Sequence, residues 1–130
     1  MNPPYDIQKR TFEFSVQVIQ FCRSLRGVHP TTWTLTRQLL KAATSIGANM
    51  EEADAAQSKP DFRAKVAIAR KEAKESVYWL RLIAATEPLA RDGVGPVLRE
   101  AKQVVSIVAA ISRTAETTAS RGTTVRTPQR

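Results

Sequence analysis

Apolar residues recur along this chain at steps of three and four, in four separate stretches, and no stretch alternates as a strand would. The first carries two neighbouring stripes, Phe12, Val16, Ile19 and Arg23 beside Phe14, Val18, Phe21 (or Cys22) and Leu25. Together they predict a helix with a broad apolar face, ended near residue 26 by Gly27 and Pro30. The second helix starts at Thr31 or Thr32, either able to cap it, and continues through Leu35, Leu39, Ala42, Ala43, Ile46, Met50 and Ala53. Gly47 lies inside it at a cost of about 1 kcal/mol relative to Ala, a cost accepted where another backbone comes close. The third has the clearest start: Ser58 as cap, Pro60 in the first turn and Asp61 three residues after the cap.

Two stripes run along that third helix. Phe62, Val66, Ala69, Ala73, Val77, Leu80 and Ala84 form its seam, predicted to pack on Leu39, Ala43, Ile46 and Met50. Ile68, Glu72, Glu75, Trp79 and Leu82 lie about 100° or more away around the axis. Glu87-Pro88 closes the helix, and Asp92 to Pro96 reads as a turn into a fourth. The fourth follows Val97, Ala101, Val104, Val108, Ile111 and Ala115, widened by Leu98, Val105 and Ile107. From Thr117 the pattern fades into Ser, Thr, Arg and Gly. The reading is all-α: an up-down four-helix bundle with short connections over residues 1–116, and a mobile basic C-terminal tail over 117–130.

A length of 130 residues and a mass of 14.4 kDa fit one such domain. A single cysteine, Cys22, excludes an internal disulfide and a Cys-rich zinc site, and a single histidine, His29, excludes a two-His metal motif. The first residues lack the apolar core of a secretory signal, and Val104 to Ile111 is too short to span a bilayer. A soluble, cytoplasmic protein without a membrane partner is expected.

Charge sharpens the picture. The net charge is +8, with seven positive and four negative groups over 58–88 and four against one over 112–130. On the third helix Arg63, Arg70, Lys74 and Arg81 share one face, with Lys71 nearby, and Arg37 and Lys41 lie on the second. Such a row suits phosphates without reading bases, although Asp61 with Lys65 and Lys71 with Glu75 are spaced to pair locally. Few aromatics, 6% of residues, argue against stacking on unpaired bases. Asn49, Glu52, Glu72 and Glu75 fall on or beside apolar stripes. Glu72 and Glu75 have helical spacing, but a bundle di-iron site also needs paired histidines, so internal or intersubunit ion pairing is the simpler reading. Cys22 lies on an apolar face, and Gly93-Val94-Gly95-Pro96 lacks the third glycine and the strand of a dinucleotide loop. No catalytic residue, metal ligand or cofactor site is expected, and the chain reads as a non-enzyme.

Several blocks in fixed order carry a resemblance: Ser45-Ile46-Gly47-Ala48-Asn49-Met50-Glu51-Glu52-Ala53, then Ser58-Lys59-Pro60-Asp61-Phe62, then Glu72-Ala73-Lys74-Glu75 before Trp79-Leu80. Over about residues 10 to 112 the chain resembles the bacterial four helix bundle proteins first noticed as reading frames within intervening sequences of large-subunit ribosomal RNA genes. It departs at Ala53, where many members carry Gly, which would let the second helix run on towards Ala56. The resemblance implies an up-down bundle that assembles as a ring of five. It also implies kinship with accessory proteins of diversity-generating retroelements, which form basic pentameric barrels and bind nucleic acid and a reverse transcriptase.

Two functions from different classes follow: an oligomeric scaffold for protein interaction, and a basic, sequence-tolerant binder of RNA or DNA. A homo-oligomer is expected on physical grounds as well, because a monomer leaving Ile68, Trp79 and Leu82 in water would expose an apolar patch. Glu72 and Glu75 would then lie at or near the joint. The alternative is that the first and fourth helices cover both stripes within one chain.

Overall fold

The computed structural model describes residues 6–126, with side chains to residue 118. Four helices, α1 (Ile7–Ser24), α2 (Pro30–Asp54), α3 (Lys59–Thr86) and α4 (Val94–Arg126), are joined by short connections, the last holding a 3-10 turn at Pro88–Ala90. The described residues contain no strand.

One rule organises the core. Buried positions run Ile7, Thr11, Phe14, Val18, Phe21 and Leu25 on α1 and its cap, and Thr32, Thr36, Leu39, Ala43, Ile46, Met50 and Ala53 on α2. They run Val66, Ala69, Ala73, Ser76, Leu80 and Ile83 on α3, and Val94, Val97, Ala101, Val104 and Val108 on α4, with Ala42 and Gly47 of α2 and Ile107, Ala109 and Ser112 of α4 buried beside these series. Every series alternates steps of three and four, an average just below the roughly 3.6 residues of a straight α-helix, so each seam stays on its neighbours if the helices wind left-handed. That drift corrects the expected α3 seam, which passes through Ser76 and Ile83, leaving Val77 half-buried and Ala84 exposed. The hydroxyls this buries are bonded: Thr11 donates to the Ile7 carbonyl at 2.8 Å and Ser76 to that of Glu72 at 2.9 Å.

On α1 only one of the two stripes enters the core; Phe12 and Val16 stand in solvent. Helix ends also move from expectation. α1 stops at Ser24, Leu25 turns extended and buried, and Gly27 makes the bend at φ 69°. α2 begins at Pro30, capped by His29 and not by a threonine: His29 Nδ1 accepts from the Thr31 N–H at 3.0 Å. Thr32 is taken elsewhere, donating at 2.7 Å to Glu87 at the end of α3. Proline without an N–H fits a first turn, and for the same reason α4 starts at Val94 with Pro96 inside it. The Ser58 cap forms as expected, its Oγ accepting from the Asp61 N–H at 3.2 Å, and α2 ends at Asp54 despite Ala53. The tail expected over 117–130 lies almost wholly beyond the described side chains.

Neighbours follow chain order. Ser15 Oγ donates to the Ala43 carbonyl at 3.4 Å between α1 and α2, and Lys65 pairs with Glu52 at 2.9 Å between α3 and α2. Arg10 grips Glu100 through two bonds of 2.8 and 2.9 Å, closing α1 onto α4. Gly47 faces α1 as its sequence position suggested, with the Thr11 carbonyl 3.4 Å from where a Cβ would sit.

Candidate interaction surfaces

The square arrangement gives three outer surfaces of different chemistry. On the α2–α3 side lie Asn49, Glu52, Glu72 and Glu75. Asn49 donates to the Ser45 carbonyl and Oγ at 2.9 and 3.1 Å, and Glu52 takes Lys65, whose ammonium this contact holds above its usual pKa. Lys65 therefore bridges helices, where pairing with Asp61 was expected. Lys71 and Glu75 form no ion pair, and neither does Glu72, among the described residues. No group of three or more His, Cys, Asp or Glu side chains among the described residues could hold a metal ion. Along the same helix Ile68 is 39% exposed, while Trp79 and Leu82 are half-buried. Trp79 packs against the core and edge-on against Tyr78, with its Nε1 buried and unpartnered among the described residues.

The basic candidates divide. Arg63, Arg70, Lys74 and Arg81 follow one another around about one flank of α3, that facing α4. Lys71 points further outward, and Arg37 and Lys41 lie on the exposed face of α2, so these three do not join the row. What joins instead is Lys102 of α4, which with Lys74, Val77 and Val105 lines the furrow between the two helices. The short α3–α4 connection, which sets residue 74 opposite 102–105, was the available signal. None of these five cations forms an ion pair among the described residues.

A third surface was missed. Between α1 and α2 runs an apolar groove lined by Ile19, Cys22, Trp33 and Leu40, with Arg23 and Arg26 on its rim. Phe12, 64% exposed, and Val16 continue it along α1, and Trp33 is 48% exposed. The signal is the second stripe of α1, read in the sequence as part of one broad apolar face. Cys22 is half-buried here, and burial pushes its thiol up to about 11, so it stays protonated and unreactive at neutral pH. His29 serves as a cap. Glu87, buried at the same end of the bundle, accepts from Thr32 Oγ1, from the Leu89 N–H at 3.2 Å and from the His29 N–H at 3.4 Å. These bonds, that of Thr32 first, hold its carboxyl below the usual glutamate range. No helix among the described residues is long and apolar enough to cross a membrane.

These surfaces sit on a known architecture. A family model described as 23S rRNA-intervening sequence protein matches residues 4–110. A crystal structure of a protein of unknown function from the S23 ribosomal protein family of Bacteroides thetaiotaomicron superposes with a TM-score of 0.71 at 31% identity, covering 82% of this chain and 98% of that one. No curated protein matches the chain.

Proposed function

We propose that this chain, which belongs to the 23S rRNA-intervening sequence protein family, is a non-enzymatic helical scaffold that works as a homo-oligomer. The observation carrying this reading is the exposure of Phe12 and Trp33, at 64% and 48%, beside Val16 and Ile19 on one continuous outer face. Isolated apolar residues on a surface are ordinary; a contiguous stripe with an arginine rim is the mark of a binding face. Closed cyclic symmetry lets every protomer bury the same surfaces, and the family resemblance makes five the first number to look for. Light scattering across micromolar concentrations tests it. A mass several times 14.4 kDa is expected, and a mass of 14.4 kDa throughout contradicts the reading.

A second reading rests on the flank of α3 that faces α4, where Arg63, Arg70 and Arg81, with Lys74 and Lys102 in the furrow, have no internal counter-charge among the described residues. Such a row fits a nucleic-acid backbone and would bind without sequence preference. Gel-shift titrations of RNA and DNA across salt decide it. Affinity falling steeply with salt supports the reading, and absence of any shift at low salt contradicts it.

A further inference from the structure

We propose that copies of this chain join head to tail, the outer stripe of α1 in one protomer lying antiparallel on the outer stripe of α3 in the next. The inference rests on the homo-oligomer reading and names its joint.

The two stripes share a period. On α1 it runs Phe12, Val16, Ile19, Arg23 and Arg26; on α3 it runs Ile68, Glu72, Glu75, Trp79 and Leu82. Both step by four, three, four and three, the same alternation that packs the core, so each can act as a second seam against another helix. None of these ten residues is fully buried inside the protomer. Their chemistry is complementary and not self-complementary. The α1 stripe is apolar and then cationic, whereas the α3 stripe sets two carboxylates between apolar ends.

Running the stripes antiparallel selects one register. Arg26 then meets Glu72 and Arg23 meets Glu75, while Ile19 meets Trp79, Val16 meets Leu82 and Phe12 reaches the end of α3 at Thr86. A parallel alignment that set Arg23 on Glu72 and Arg26 on Glu75 would carry Trp79 and Leu82 past the end of α1 at Ser24 and leave them uncovered. Pairing like with like is worse: these charges have no internal ion pair among the described residues, and the α1 stripe offers its arginines no carboxylate while the α3 stripe offers its glutamates no cation. Because the stripes are on different helices, each contact leaves one of each free, and the chain of contacts ends only by closing on itself.

The test uses the exposed Arg23, Arg26 and Glu75 and the half-buried Glu72, none of them in the core, so the protomer fold should survive, which circular dichroism verifies. Arg23→Glu and Glu75→Lys should each weaken self-association by about tenfold or more, and the double variant Arg23→Glu/Glu75→Lys should restore it, since every joint then carries the swapped pair. Arg26→Glu and Glu72→Lys form a second, independent pair with the same expectation. Loss in only one of the single variants would mean that like faces meet, and a double variant that stays dissociated would break the register; either overturns the proposal while leaving the oligomer reading in place. A wild-type chain at its protomer mass would instead remove the oligomer reading itself.

Discussion

The outer groove of α1–α2 and the furrow of α3–α4 flank the same core, yet one is apolar with cations at its rim and the other sets Lys74 and Lys102 beside Val77 and Val105. Both consist of positions adjacent to a three–four seam, where packing dictates little and any residue with a tolerable helix propensity fits. The contrast teaches that the core repeat fixes the bundle, and the flanking positions are where each pair of helices acquires its own chemistry. A long cation can lay its methylenes on the furrow and keep its charge in water. Phe12 and Trp33 have no such option, and only another surface removes them from solvent.

The largest expected effect comes from the element both surfaces share. Leu80 is fully buried, and Leu80→Ala should destabilise the fold by about 2–5 kcal/mol in denaturant titration, weakening assembly and any nucleic-acid binding together. A loss of one activity alone at undiminished stability would contradict a common core. Next, the surfaces should separate. Arg70→Ala and Lys74→Ala should each lower the salt slope of nucleic-acid binding by about 1 while leaving the oligomer mass unchanged. Phe12→Ser should do the reverse.

A smaller effect probes the α1–α2 contact from inside. At Gly47 the nearest atoms to an added Cβ, the Thr11 carbonyl oxygen at 3.4 Å and Ser15 Oγ at 3.6 Å, leave room for a methyl. Gly47→Ala should therefore stabilise by roughly 0.5–1 kcal/mol through helix propensity. Destabilisation on thermal melting would show that α1 sits closer to α2 than this. The least expected change at neutral pH is a shape. With its carboxyl held low, Glu87 contributes fully above the ordinary glutamate pKa of about 4.3, and the contribution drains as pH falls through its lowered value. Glu87→Gln should flatten that part of the acid-unfolding curve, and an unchanged curve would remove Glu87 as the clasp between Thr32 and α3.

Most of the fold was legible in the sequence because helix starts and apolar periods are local. Ser58 capped α3 as read, and Val66, Ala69, Ala73 and Leu80 are buried against a partner seam that includes Leu39, Ala43, Ile46 and Met50. The errors came from the tertiary level. A period of 3.5 rather than 3.6 moved the seam to Ser76 and Ile83, and Thr32 left its capping role for a carboxylate far along the chain. The surfaces were half legible. Arg63, Arg70, Lys74 and Arg81 share a flank by spacing alone, whereas Lys102 and the exposure of Phe12 depend on which helix lies beside which.

The central claim, that the outer apolar faces are covered by other copies of the chain, is tested most directly by light scattering on the wild-type protein beside its Phe12→Ser/Trp33→Ser variant. A discrete multiple of 14.4 kDa for the wild type and 14.4 kDa for a variant that melts as a folded helical protein is the predicted result. A wild type already at 14.4 kDa, or a variant that keeps the wild-type mass, would contradict it.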